Sequence, residues 1–162
     1  MTTVNAILAH DENFGIGKDN GLPWPKSNLD MKWFKKHTQD SVVVMGRKTW
    51  ESLGNRKLPG RFNVVISNSG VNGNPDLVLG GADVSKTIEK IEAQFKDKNI
   101  WFIGGANLYS QVISICDYVY ISKFDGSYDC DVFFDPTPHL ADFYLNLKFK
   151  SGGITFEIWR QE

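Results

Sequence analysis

The chain predicts an α/β fold: a mostly parallel, twisted sheet of eight strands, about four helices on both of its faces, and a C-terminal antiparallel hairpin at one edge. Three observations carry this. Segments 4–9, 42–45, 62–67, Leu77–Leu79, 100–103 and Tyr118–Phe124 are near-continuous apolar runs, the pattern of strands buried on both faces. Helical patterns alternate with those runs up to about residue 124. Two strands without a helix between them, 144–149 and 154–159, then finish the chain around Ser151-Gly152-Gly153.

Taken in order, the first strand is broken only by Asn5. Segment 11–26 holds Gly15, Gly17, Gly21, Pro23 and Pro25, which forbid a regular element, while Phe14, Ile16, Leu22 and Trp24 require it to fold over something apolar. A helix follows, capped by Ser27 or Asn28. Leu29, Trp33, Phe34 and His37 share one face, and Lys32, Lys35 and Lys36 the other. Asp30 falls in the middle of the apolar face. It reads either as a first-turn acid favoured by the helix dipole or as a carboxylate waiting for a polar ligand. Strand 42–45 ends at Gly46, and 47–53 reads as a short helix. Leu58-Pro59-Gly60-Arg61 is a turn, and 68–76 is a loop rich in Asn and Gly. Val84, Ile88, Ile91 and Phe95 mark a helix capped by Asp83 or Ser85. Gly104-Gly105 leads into a helix over 106–115, and 125–131 is an acidic loop.

Hydrophobic residues make up 41% and aromatics 13%, enough to bury the core of one domain spanning 1–162. Lysine and arginine number 18 against 19 acids, and a net charge of -1 excludes a general attraction to nucleic acid or membrane. Cys116 and Cys130 are too few for a disulfide scaffold. With His10, His37 and His139 they form neither metal-ligand spacing nor a nucleophile system. No secretory leader or long apolar run is present, so a reduced, cytoplasmic monomer is expected.

Ligands of open α/β sheets bind beyond the carboxyl ends of the strands. Two junctions there suit an anion. Gly104-Gly105 is either a tight turn or a place where a phosphate approaches the backbone. At Gly46-Arg47-Lys48-Thr49 two cations sit at a helix N-terminus, where the dipole disfavours them, so they are either solvated or share an anion. From Arg47 to Arg61 there are five basic residues (Arg47, Lys48, Arg56, Lys57, Arg61) and one acid, Glu51. A small polyanion fits this patch better than nucleic acid. Arg61 follows a Pro-Gly turn that fixes its direction, making it the best carboxylate fork.

Together these residues resemble the dihydrofolate reductase family along nearly the whole chain. The matching blocks run in family order: Gly15-Ile16-Gly17 with Leu22-Pro23-Trp24; Asp30 with Trp33-Phe34-Lys35; Val44 through Gly54; Leu58-Pro59-Gly60-Arg61; Ile103-Gly104-Gly105-Ala106; and Asp131-Val132-Phe133-Phe134. The resemblance implies NADPH-dependent reduction of 7,8-dihydrofolate to tetrahydrofolate, with hydride reaching pterin C6 and a proton N5. Asp30 is then the carboxylate that takes the pterin amino group and N3. Ile7 and Leu8 are first-strand contacts, and Met31, Phe34, Leu53 and Leu58 are apolar walls. Arg61 holds the glutamate α-carboxylate, with Ser122 near Asp30. Ala9 and Ile16 flank the nicotinamide. Gly46, Arg47, Lys48 and Thr49 bind cofactor phosphates, and Ser67 and Asn68 lie near the adenosine phosphate. Gly104, Gly105, Ala106, Asn107, Leu108 and Tyr109 form the pyrophosphate loop, with a cis peptide at Gly104-Gly105. Segment 11–26 is the mobile lid, with Leu22 at its centre as a catalytic contributor. Its 24–30 portion is one residue longer than in some members, and Asn28 stands where proline is frequent. No metal is implied, and the expected partners are dihydrofolate and antifolate inhibitors. The competing readings are a pterin or deazaflavin-pathway reductase on the same fold, and a non-catalytic pterin- or NADP-binding protein. The pairing of Asp30 with Arg61 favours a substrate that joins a pterin to a glutamate tail.

Overall fold

Apolar from Ala6 to Leu8 on both faces, strand β1 (Val4–His10) lies inside the sheet between β6 (Ile100–Phe102) and β7 (Tyr118–Phe124), parallel to both. The computed structural model describes residues 2–81 and 83–162. The other strands are β2 (Gly15–Gly17), β3 (Val42–Gly46), β4 (Phe62–Ile66), β5 (Leu77–Leu79), β8 (Val132–Phe133), β9 (Phe143–Ser151) and β10 (Ile154–Gln161). The helices are α1 (Asn28–Thr38), α2 (Arg47–Ser52), α3 (Val84–Gln94) and α4 (Ala106–Val112). The main sheet has eight strands in the order β5-β4-β3-β6-β1-β7-β10-β9, and only β10 runs against the rest. This is the predicted architecture.

Alternation along the strands divides the core in two. Ala6, Leu8, Val42, Val44, Val64 and Phe102 face α3 and α4 through Ile91, Leu108 and Val112. Ile7, Val43, Met45, Val65 and Trp101 face α1 and α2 through Trp33, Phe34 and Trp50. A third cluster, Trp24, Phe124, Ile154 and Phe156, packs the segment before α1 against the end of the sheet. Trp24 stacks on Phe124 at 4.2 Å between ring centroids. The caps follow the sequence: Ser27 Oγ accepts from Asp30 N, and the Asp83 carboxylate accepts from Ser85 N and Lys86 N.

Four expectations need correction. Segment 106–115 is not one helix, because α4 stops at Val112 and a 3₁₀ turn, Ile113–Ile115, follows. The tighter winding brings Ile113 and Cys116, both 0% exposed, into the core ahead of β7. The terminal hairpin is longer than 144–159, and its turn is only Gly152–Gly153. Their φ values of 57° and 75° are the left-handed pair that a two-residue hairpin turn requires. Segment 11–26 is not devoid of regular structure: its breakers limit β2 to three residues, which pair with β8. Leu29 does not share the buried face of α1. It is 40% exposed, since that end of the helix borders a cleft rather than the core.

Ile91 is 0% exposed and carries the packing of α3. Ile91→Ala is expected to lower stability by about 2–5 kcal/mol in urea unfolding. Glu92→Ala, one position round on the exposed face, should change it by less than about 0.5 kcal/mol. Equal effects would contradict the assignment of the α3 face.

Candidate active site

The carboxyl ends of β1, β3, β4, β6 and β7 open into one cavity of about 1410 Å³. Every site residue predicted from the sequence lines it. Ile7, Leu8 and Ala9 come from β1, and Ile16 and Leu22 from the segment before α1. Asp30, Met31 and Phe34 come from α1, and Gly46, Arg47, Lys48, Thr49 and Leu53 from the β3–α2 junction and just beyond. Leu58 and Arg61 belong to the turn before β4, and Ser67 and Asn68 to its end. Gly104, Gly105, Ala106, Asn107, Leu108 and Tyr109 follow β6, and Ser122 lies on β7. Leu8, Leu108 and Tyr109 belong at the same time to the buried core on the α3 and α4 side of the sheet. A side pocket of about 370 Å³ opens between Leu22, Trp24, Lys26, Ser27, Asp30 and Met31.

Asp30 sits in the first turn of α1, half-buried, beside Ser122 on the neighbouring wall. No cation pairs with it among the described residues. Burial pushes its pKa up, and the Ser122 hydroxyl bond opposes the shift without cancelling it. Near it the buried phenol of Tyr109 donates to Ile7 O at 2.7 Å, fixing a carbonyl of the central strand. Burial pushes that phenol far above its ordinary range, so it remains a neutral donor.

The opposite end is built from two strand-to-helix turns in contact. Gly46 N donates to Gly104 O at 2.9 Å, and the Gly104-Gly105 peptide is cis, as the resemblance implied. A Cβ at Gly46 would lie 3.8 Å from Gly104 O, and one at Gly105 would lie 3.8 Å from Thr49 Oγ1. Both glycines therefore leave open a cradle that side chains would fill. With Lys48 and the Thr49 hydroxyl at its rim, this cradle fits a diphosphate. The predicted positive region is weaker than its composition suggests. Arg47 pairs with Glu51 at 3.1 Å and Lys57 with Asp76 at 3.0 Å, so within this region Lys48 and Arg61 are the lining cations without an acidic partner among the described residues, as Lys18, Lys26, Lys32 and Lys35 are elsewhere on the lining.

The segment over the cavity is tied down at its root. Asp11, 1% exposed, accepts from Asn13 N and Gly15 N through Oδ1, and from Tyr128 N and Cys130 Sγ through Oδ2. Burial alone would push its pKa up, but the N–H groups of Gly15, Tyr128 and Asn13 and the Cys130 thiol outweigh that and hold it below the ordinary carboxylate value. Cys130 itself is pushed up to about 11 by burial and by Asp11, so it stays a thiol. Further along, Asp131 N donates to Gly17 O and Asp19 N to Asp131 Oδ2, both at 2.9 Å.

Four supporting residues went unassigned in the sequence: Asp11, Thr38, Asn63 and Asp131. The signal for Asn63 was present, since it is a polar residue inside the apolar run Phe62-Asn63-Val64-Val65-Ile66. Asp11 and Thr38 carried no comparable signal, because Tyr128, Cys130 and Arg61, which give them their roles, are distant in the chain, and Asp131 carried only its place in a family block.

Comparison with known proteins gives a consistent result. The family model described as dihydrofolate reductase matches residues 3–149. A dihydrofolate reductase of Buchnera aphidicola is 37% identical over 139 residues, covering 85% of this chain and 80% of the relative. One from Bacillus subtilis is 36% identical over 129 residues, covering 79% and 73%. Among solved structures, a dihydrofolate reductase from Enterococcus faecalis complexed with NADP(H) and RAB-propyl superposes with a TM-score of 0.84 at 26% identity, covering 98% of this chain and 96% of that one.

Asp30 and Asp11 respond to pH with opposite sign. Asp30 has a raised pKa in the fold, so the folded state binds the extra proton and stability falls as pH rises from the ordinary carboxylate value to the raised one. Asp11 has a lowered pKa, so its contribution is present above the ordinary value and is lost as pH falls through the folded one. At pH 7, Asp30→Asn is expected to raise the melting temperature. Asp11→Asn should lower stability by about 1–3 kcal/mol, because its amide would set N–H groups against N–H groups. Melting curves of both variants at acid and neutral pH check the signs, and a destabilised Asp30→Asn would overturn the first.

Proposed function

The chain belongs to the dihydrofolate reductase family, and we propose that it performs the NADPH-dependent reduction of 7,8-dihydrofolate to 5,6,7,8-tetrahydrofolate, which supplies one-carbon and thymidylate metabolism. The observation that carries this is the layout of the one cavity. An unpaired, half-buried carboxylate faces an apolar middle, a cation without an acidic partner stands at the tail end, and a two-glycine cradle lies at the phosphate end.

On this reading Asp30 takes the pterin amino group and N3, which add donors to the single Ser122 hydroxyl. Its negative charge also favours the proton on N5. Met31, Phe34, Leu53 and Leu58 hold the ring system by apolar contact, and Arg61 takes the glutamate α-carboxylate. NADPH, when bound, supplies the hydride that reaches pterin C6. Gly46, Lys48, Thr49, Gly104 and Gly105 would hold its phosphates, with Ser67 and Asn68 at the adenosine end. Ile16 and Leu22, on the segment rooted at Asp11, exclude water from the reacting atoms. We take residues 1–162 as one domain that works as a cytoplasmic monomer. The free thiols Cys116 and Cys130 support a reducing compartment.

Loss of nicotinamide absorbance on mixing NADPH with dihydrofolate tests the activity. A folded sample without turnover would refute it. Asp30→Asn should cut turnover at pH 7 on the order of a hundredfold or more. Because Glu51 already pairs with Arg47, Lys48→Met should weaken NADPH binding more than Arg47→Met. It should weaken NADH and NADPH alike, since both carry the diphosphate, and unchanged binding of both cofactors would contradict a diphosphate role.

A further inference from the structure

We propose that Asn63 and Thr38, neither of which lines the cavity, are positioning residues that set the affinity for the anionic tail of the substrate, by fixing Arg61 before the substrate arrives. The inference rests on the reading that Arg61 takes that tail.

The backbone half of the device is Asn63. It is 0% exposed and sits on β4, where an apolar residue would serve the sheet equally well. Its amide is spent entirely on the preceding turn. Oδ1 accepts from Leu58 N at 2.9 Å, and Nδ2 donates to Leu58 O and to Arg61 O, both at 3.1 Å. Both ends of the Leu58-Pro59-Gly60-Arg61 turn are thus gripped by one side chain. Gly60, at φ 73°, supplies the left-handed residue that the turn needs. Asn63 is itself anchored: its N–H donates to Asp76 Oδ2 at 2.7 Å, and Asp76 N donates to Asn63 O at 2.8 Å.

The side-chain half is Thr38, also 0% exposed. Its hydroxyl donates to Phe34 O at 2.8 Å, which leaves the oxygen to accept from Arg61 Nη1 at 3.1 Å. Arg61 Nε donates to Pro59 O at 2.9 Å, and its Cζ lies 5.8 Å from the centre of the Phe34 ring. A guanidinium has five N–H donors in a rigid fork. Two are occupied here by neutral oxygens, and no carboxylate among the described residues takes the others. A long side chain already held in this way gives up less conformational freedom when a carboxylate docks. Loosening either hold should therefore weaken tail binding and leave the reacting ring undisturbed.

The test measures KM and kcat of Asn63→Ala and Thr38→Val with dihydrofolate and with a 7,8-dihydropterin that carries no aminobenzoyl-glutamate tail. Each variant should raise KM for dihydrofolate roughly five- to tenfold. kcat should stay within about twofold, and KM for the tail-less substrate should be unchanged. Thr38→Val keeps the side-chain shape, so it reports even where Asn63→Ala fails to fold. A folded variant with unchanged KM for dihydrofolate, or with equal increases for both substrates, would overturn the proposal. Arg61→Leu separates this outcome from failure of the underlying reading. If Arg61→Leu leaves the dihydrofolate KM unaltered, the tail assignment is wrong. If it raises KM while neither supporting variant does, the positioning role alone is wrong.

Discussion

A carboxylate half-buried in an apolar cleft with no cation beside it is an unfavourable arrangement, and the site depends on the fold sustaining it at Asp30. Desolvation raises the free energy of its charged form, and the Ser122 hydroxyl returns only part of that. The central sheet and the packing of α1 on it tolerate this, because the cleft side of α1 faces solvent and ligand rather than more protein. The same opening leaves Leu29 and Met31 exposed at 40% and 47% on a helix whose other contacts are core. A ligand that brings donors and a flat apolar ring removes both defects together.

Asp11 shows the alternative use of a buried acid. It is almost fully covered, yet four donors from two loops satisfy both of its oxygens. One carboxylate is finished by the protein and works as a fastener, and the other is left unfinished for a ligand. The cations divide in the same way. Arg47 and Lys57 are compensated by Glu51 and Asp76, whereas Lys48 and Arg61 keep their charge for the cavity. Local composition marks where the cleft is positive, but only these pairings decide which cations are available to it.

The parallel sheet was legible because its strands are apolar on both faces, and the residues assigned from the family blocks all fall on the lining of one cavity. Features set by partners far along the chain were not legible. The short strand at Gly15–Gly17 exists only because segment 131–134 meets it, and the roles of Thr38 and Asp11 arise from side chains and loops that folding brings near. The break after Val112 reflects the demand that Ile113 and Cys116 enter the core, which helical periodicity does not register. The exposure of Leu29 escaped for a related reason: a helical wheel assigns one apolar face but cannot show that a cleft, rather than the core, lies along part of it.

The place of β1 at the middle of the sheet also orders events during synthesis. Val4 pairs with Ile100, and Asn5 with both Trp101 and Tyr118. At a translation rate of about 5–20 residues per second, β1 spends roughly 5–20 s on a ribosome before its first neighbour exists. During that time β3, β4 and β5 can pair among themselves, while the strand that carries Ile7 and Ala9 has nothing to join. The loop-closure entropy of those long-range pairings is met late. The β1 wall of the cleft therefore takes shape only after most of the chain is made, and a chain halted before Tyr118 holds all four α-helices but lacks β7, with Ser122 and the second neighbour of β1.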